Sequence, residues 1–400
     1  MTRNQMTRNP AARLLARAVF VAIVALGMDL LACGGLSVLE ARGVAYQPIL
    51  GDRLSAENRQ AIEDFLGGRE SPYQLDSVLG WTLRPRFRSP ELAVDAVGRR
   101  RAPDRPPPES NAVRLAAFGD SFIFGGDVVD RDAFPEALAR LDQGIDIVNY
   151  GVPAYGLDQA FLRYLKERRA ARPQVVIIGY LSENICRNVS VFRPFYNPTT
   201  VFPLAKPRYL LGGRGLRLLR NPLPTPESYR RLLANPADSL AELGRHDAYY
   251  RTRPRAKPWD RSATVRLVKL AAAQWSPKNR DRCYGADEAF SVTTRLFSLF
   301  YETALRDGAQ PVILIFPTRE EVTNWRSGRR KNYAPLLSFL GGKGYRVVDA
   351  MEVFDGAGRN LSIDELIPSH LSPLANTLVA ELLRQRLQSF SLIRGTGVPG

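Results

Sequence analysis

From residue 113 onward the chain repeats one unit: a short apolar run, a turn, then an amphipathic stretch with helical spacing. Apolar runs cover 115–118, 145–150, 174–180, 311–316 and 345–349. Helical spacing covers 134–141, 157–169, 286–307 and 374–387. The run QVVIIGY at 174–180 is apolar throughout rather than alternating, as a strand buried on both faces must be. Strands that alternate with helices predict a parallel sheet wrapped on both sides. Functional groups in such sheets gather beyond the carboxyl ends of the strands. Ser121, Gly151 and the residues after Tyr180 all fall there.

Two stretches depart from this rhythm. Residues 41–112 hold a short helical pattern at 56–65 and a Pro- and Arg-rich run at 84–108, a composition suited to a linker or a surface strap. Residues 189–284 form an insertion with its own helical patterns at 228–243 and 264–275. We expect it to cap the carboxyl edge of the sheet; a basic surface excursion is the competing reading. The expected organisation is an N-terminal anchor at 1–40, the lead-in at 41–112, the α/β domain at 113–390 and a tail at 391–400.

Arg3, Arg8, Arg13 and Arg17 precede an apolar stretch from Ala18 to about Leu39, broken by Asp29. The length suits one membrane span, and arginines clustered before it predict an N-terminus inside and the body outside the cytoplasm. Leu30-Leu31-Ala32-Cys33 approximates a lipoprotein signal, and ordinary cleavage is a third reading. All three export the body of the protein. The formal net charge is +16, which invites a nucleic-acid reading. The arginines are scattered, however, and predicted export argues for a basic exterior facing anionic lipid or acidic glycan. Cys186 and Cys283 can pair in an oxidising compartment or stand as two buried thiols. Two distant histidines and three cysteines form no metal-ligand pattern, and no cofactor is expected.

In Val113-Arg114-Leu115-Ala116-Ala117-Phe118-Gly119-Asp120-Ser121 a strand runs into a tight turn. A serine there is a candidate nucleophile, or only a cap. A serine hydrolase needs a base, and of the two histidines His246 lies in the insertion while His370 lies in the loop before the last helix. Gly119-Asp120-Ser121, then Gly151, Asn184 and His370, arrive in the order of the SGNH (GDSL-like) hydrolase family, and the chain resembles that family over about residues 113–387. The resemblance implies a flavodoxin-like three-layer α/β/α sandwich. It also implies Ser121 as nucleophile, and an oxyanion hole from the N–H groups of Ser121 and Gly151 and the amide of Asn184. Asn188 is the alternative to Asn184. Arg187 and Asn188 can bind an anionic group of a substrate or pin the insertion by hydrogen bonds, and the structural role is the expectation.

One departure concerns the base. The family places an aspartate three residues before its histidine, and position 367 here is isoleucine. Asp364 is the candidate third member, with Glu365 nearby and a backbone carbonyl as the other way to orient His370. The expected function is an exported, membrane-anchored ester hydrolase acting through an acyl-enzyme on an acylated cell-envelope glycan or a lipid ester. An O-acyltransferase would use the same Ser-His machinery. A glycan-binding scaffold that has kept only the fold is the reading from another class.

Overall fold

The computed structural model describes residues 10–42, 53–68, 71–198, 200–213, 215–250, 258–275, 283–285 and 287–394. Five parallel strands form the central sheet. Numbered along the chain with two outlying hairpins, the strands are β1 (Tyr73–Asp76), β2 (Gly80–Leu83), β3 (Val113–Phe118), β4 (Ile145–Asn149), β5 (Val175–Leu181), β6 (Arg208–Gly212), β7 (Gly215–Leu219), β8 (Gln310–Phe316) and β9 (Val347–Asp349). The sheet order is β4-β3-β5-β8-β9. Every neighbouring pair in it is parallel. β5 is buried at all seven positions, the outcome its unbroken apolar run requires.

The helices are α1 (Pro10–Ala41), α2 (Ala56–Leu66), α3 (Ser121–Phe124), α4 (Phe134–Leu141), α5 (Leu157–Ala171), α6 (Pro226–Ala234), α7 (Pro236–Gly244), α8 (Ala263–Trp275), α9 (Asp287–Arg306), α10 (Arg319–Arg326), α11 (Ala334–Gly342), α12 (Met351–Asp355), α13 (Ile363–Leu366) and α14 (Pro373–Ser389). α4, α12 and α14 pack together as one layer and α5, α9 and α11 as the other. This is the expected α/β/α arrangement. The strand after β3 adds on one side of it and β5 on the other, so the chain direction switches beside β3. That switch opens a crevice outside the carboxyl ends of β3 and β5, and Ser121 begins the turn that enters it.

Residues 71–112 run as a strap whose side chains enter the core. Trp81 of β2 is fully buried; its indole N–H donates to the Pro153 carbonyl at 2.9 Å. Its ring stacks on Phe202 of the insertion with centroids 5.5 Å apart. Arg100, also buried, runs into the loop after α3. The insertion contributes the β6–β7 hairpin, α6, α7 and α8, and a disulfide joins Cys186 to Cys283 with Cα atoms 5.6 Å apart. That bond ties the segment just after β5 to the end of the insertion. α1 is a 32-residue helix long and apolar enough to cross a membrane, with a mean hydropathy of 2.2 over its most apolar 18 residues.

Candidate active site

β3 ends at Phe118, and Gly119-Asp120 turns the chain into α3 with Ser121 as its first residue. Asp120 caps that turn, its carboxylate accepting the Phe122 N–H at 2.9 Å. Ser121 keeps 8% of its surface exposed. Its carbonyl accepts the Gly125 N–H at 2.9 Å and the Gly126 N–H at 2.8 Å. The second of these bonds folds the chain back over the serine.

His370 is set against that same return. A Cβ on Gly126 would stand 2.9 Å from two ring atoms of His370, so only glycine admits the imidazole this close. The ring also meets Phe122, whose centroid is 5.6 Å away. Two residues later Ser372 caps α14, accepting the Ala375 N–H at 3.2 Å. The amide of Asn376 donates to the Leu371 carbonyl at 3.0 Å and accepts the Phe134 N–H at 3.2 Å. The loop carrying the histidine is thereby fixed to both α14 and α4.

The carboxylate that meets His370 is Asp127. His370 Nδ1 lies 2.6 Å from Asp127 Oδ2, and the Ser369 hydroxyl donates to the same oxygen. Burial works against the Asp127 charge, yet the bonds from Ser369 and His370 and the histidine's charge hold its carboxyl below the ordinary carboxylate range. Asp127 adopts φ of 64°, a left-handed conformation that aspartate tolerates better than most residues. Asp364, the residue expected near the histidine, instead sits exposed at the start of α13 and pairs with Arg319. Arg319 also donates to the Ile367 carbonyl at 3.0 Å, so this pair braces the loop from outside.

Arg100 holds the turn that carries Asp127. Its guanidinium donates to the carbonyls of Phe124 at 3.0 Å and Val128 at 2.6 Å, and pairs with Asp130 at 2.7 Å. It also lies 4.5 Å from the centroid of the Phe124 ring. Composition offered no way to single out this arginine among so many. Its one local sign is its place in the middle of the run Arg99-Arg100-Arg101, ahead of the first strand of the central sheet.

Asn184 follows β5 in a short 3₁₀ turn and donates to Asp120 Oδ2 at 2.7 Å. Burial pushes the Asp120 carboxyl up, while Arg187 at 3.6 Å and the bonds from Asn184 and Phe122 pull in the other direction. The structure thus links Arg187, Asp120 and Asn184 directly behind Ser121. Asn188 is spent elsewhere: it accepts the Leu157 N–H at 3.1 Å and donates to Thr293 at 2.8 Å, joining α5 to α9. Arg187 also donates to the Tyr155 carbonyl at 3.0 Å and pairs with Glu183 at 2.8 Å.

Gly151 packs against the end of the serine turn. A Cβ there would come within 2.3 Å of the Phe124 nitrogen, so no other residue fits without displacing α3. Its N–H donates to Asn149 Oδ1 at 2.9 Å, and the Asn149 amide in turn donates to the Phe124 carbonyl at 3.2 Å. His246 is exposed in the insertion. There it borders a cavity of about 400 Å³ that includes neither Ser121 nor His370 in its lining. Among the described residues no group of three His, Cys, Asp or Glu side chains is placed to hold a metal ion.

No family model matches the chain, and no curated relative matches it. Among solved structures it is similar to a lipolytic protein of the G-D-S-L family from Desulfitobacterium hafniense DCB-2, at 14% identity and a TM-score of 0.35 over 69% of this chain and 99% of that one. It is similar to a G-D-S-L family member from Veillonella parvula DSM 2008, at 10% identity and a TM-score of 0.31 over 68% and 97%. A third is a catalytic mutant of an acetylxylan esterase from Geobacillus stearothermophilus, at 10% identity and a TM-score of 0.36 over 71% and 96%. At these identities and TM-scores the likeness says nothing of activity.

Proposed function

We propose that the chain is a serine ester hydrolase in which Ser121 is the nucleophile, His370 the base and Asp127 the carboxylate that orients the base. The observation that carries this reading is the His370–Asp127 pair seated on Gly126, whose N–H is bonded to the Ser121 carbonyl. With Nδ1–H donated to Asp127, the tautomer is set and Nε2 is left as the proton acceptor.

In the first step Ser121 Oγ attacks the ester carbonyl carbon while its proton passes to Nε2. The tetrahedral alkoxide collapses, the C–O bond to the alcohol breaks, and the alcohol leaves with the proton from Nε2. Water then attacks the acyl-enzyme with His370 again as base, and the acid and free Ser121 are released. We assign the alkoxide to the N–H of Ser121 and the second amide hydrogen of Asn184, whose first is held by Asp120. Gly151 contributes its missing Cβ, since its N–H already serves Asn149. Donors fixed before the charge develops need no reorganisation at the moment of reaction.

The apolar helix α1 and the arginines before it support a membrane-anchored enzyme with its body outside the cytoplasm. The basic surface supports an acylated, acidic envelope glycan, or a lipid ester, as substrate. Incubation of the detergent-solubilised chain with a small acetyl ester, with and without an added sugar acceptor, tests the reaction type. Free acetate as the product in both mixtures is the expected result; acetylated sugar as the main product contradicts hydrolysis.

A further inference from the structure

The insertion reaches back to α1 at the one acidic residue of its apolar stretch. Asp29 Oδ1 accepts the Ser262 hydroxyl at 2.5 Å and the Thr264 N–H at 2.9 Å. Those groups open α8, where the Ser262 hydroxyl also accepts the Val265 N–H at 3.3 Å, so the carboxylate completes the cap that Ser262 begins. Six residues further along α1, a Cβ on Gly35 would lie 3.8 Å from Leu267 of α8. The two helices therefore leave Asp29 side by side and in the same direction.

Other polar groups share this level. Lys269 pairs with Asp260 at 2.5 Å, and Trp259 and Arg261 are exposed on the 3₁₀ turn Pro258–Arg261 just before α8. Irregular backbone is not tolerated against lipid tails, and charged side chains at the bilayer centre are strongly disfavoured. A level holding Asp29, Asp260, Arg261 and Lys269 belongs at or beyond the bilayer surface. Tryptophan and basic residues are what headgroups favour there. From Pro10 to Met28, α1 covers about 28 Å at 1.5 Å per residue, close to the roughly 30 Å of a bilayer's hydrocarbon. Arg13 and Arg17 lie toward the inner end, where their stems point back to the cytoplasmic surface.

We propose that the outer edge of the bilayer lies at Asp29, that α1 beyond it stands outside the hydrocarbon braced by α8, and that Trp259 and Arg261 rest on lipid headgroups. The apolar stretch to Leu39 would then be only half membrane span, the rest a stalk that holds the domain at the surface. This rests on the membrane anchoring proposed above.

Cys33, free and exposed one turn beyond Asp29, is a built-in reporter. The full chain is placed in sealed vesicles with its domain outward and treated with a membrane-impermeant maleimide. Cys33 is expected to label at least tenfold faster than the cysteine of an Ala22→Cys, Cys33→Ser variant, which should need detergent. Protection of Cys33 until detergent is added overturns the proposal while leaving the anchor intact, as does lipid attached to Cys33 with loss of the preceding segment. Labelling of both sites without detergent sinks the anchor reading itself. For the brace, a Gly35→Cys, Leu267→Cys pair in a Cys33→Ser background should join through a short bifunctional maleimide. Asp29→Ala should cut that yield several-fold, and an undiminished yield overturns the capping role.

Discussion

His370 Nδ1 and Asp127 Oδ2 stand 2.6 Å apart across 243 residues of chain, and Asp127 is only six residues from Ser121. In the proposed site the carboxylate that orients the base therefore comes from the loop of Ser121 rather than from that of His370. Asp127→Asn is expected to lower kcat by about 10² to 10⁴, because the imidazole loses its tautomer preference and its orientation. Asp364→Asn, which breaks only an exposed pair with Arg319, is expected to change kcat less than about threefold. Steady-state kinetics on a chromogenic ester compare the two. Equal losses, or a larger loss at Asp364, contradict the assignment.

Asn184→Ala removes one proposed donor to the alkoxide and leaves Asp120 without that amide. A fall of about 10² to 10³ in kcat with little change in KM is expected, the pattern of an interaction made in the transition state. A rise in KM alone would make Asn184 a substrate-binding residue instead.

Arg100 is the buried brace of the loop from Phe124 to Asp130. Arg100→Met leaves Asp130 buried without its partner and is expected to cost about 3–5 kcal/mol in denaturant unfolding. Arg100→Met combined with Asp130→Leu should recover most of that stability without restoring full activity, since the Phe124 and Val128 carbonyls stay unbraced. Recovery of both together would show that the arginine acts only through its ion pair.

The Cys186–Cys283 bond closes a loop across a sequence separation of 97. Replacing both cysteines by alanine should cost about 2–5 kcal/mol, mainly by freeing the unfolded chain. Asn184 lies two residues before Cys186, so activity should fall as well once the insertion is untied. Unchanged stability after the double replacement would mean that the bond does not form in the protein.

The sheet was legible because its signals are local. Residues 174–180 could be a buried strand from their own composition, and the turn at Gly119-Asp120-Ser121 announced the end of β3. Ser121, Asn184 and His370 could be singled out as candidates for the same reason, each sitting in a short stretch at a strand or helix end. Asp127 was hidden because its contact with His370 is made across nearly the whole domain. Its one local sign was Gly125-Gly126 beside it, where the chain has room for an incoming ring. The lead-in was harder still. Its prolines and arginines have the composition of a linker, whereas Trp81 and Arg100 are held by partners at Pro153, Phe202 and Asp130 that no spacing within the lead-in could announce.

The most direct test is labelling of the full-length solubilised chain by a fluorophosphonate, which bonds only to an activated serine. The wild type should label, Ser121→Ala should not label at all, and His370→Ala and Asp127→Asn should label at least a hundredfold more slowly. A folded wild type that does not label, or a Ser121→Ala variant that still does, would contradict the account at its centre.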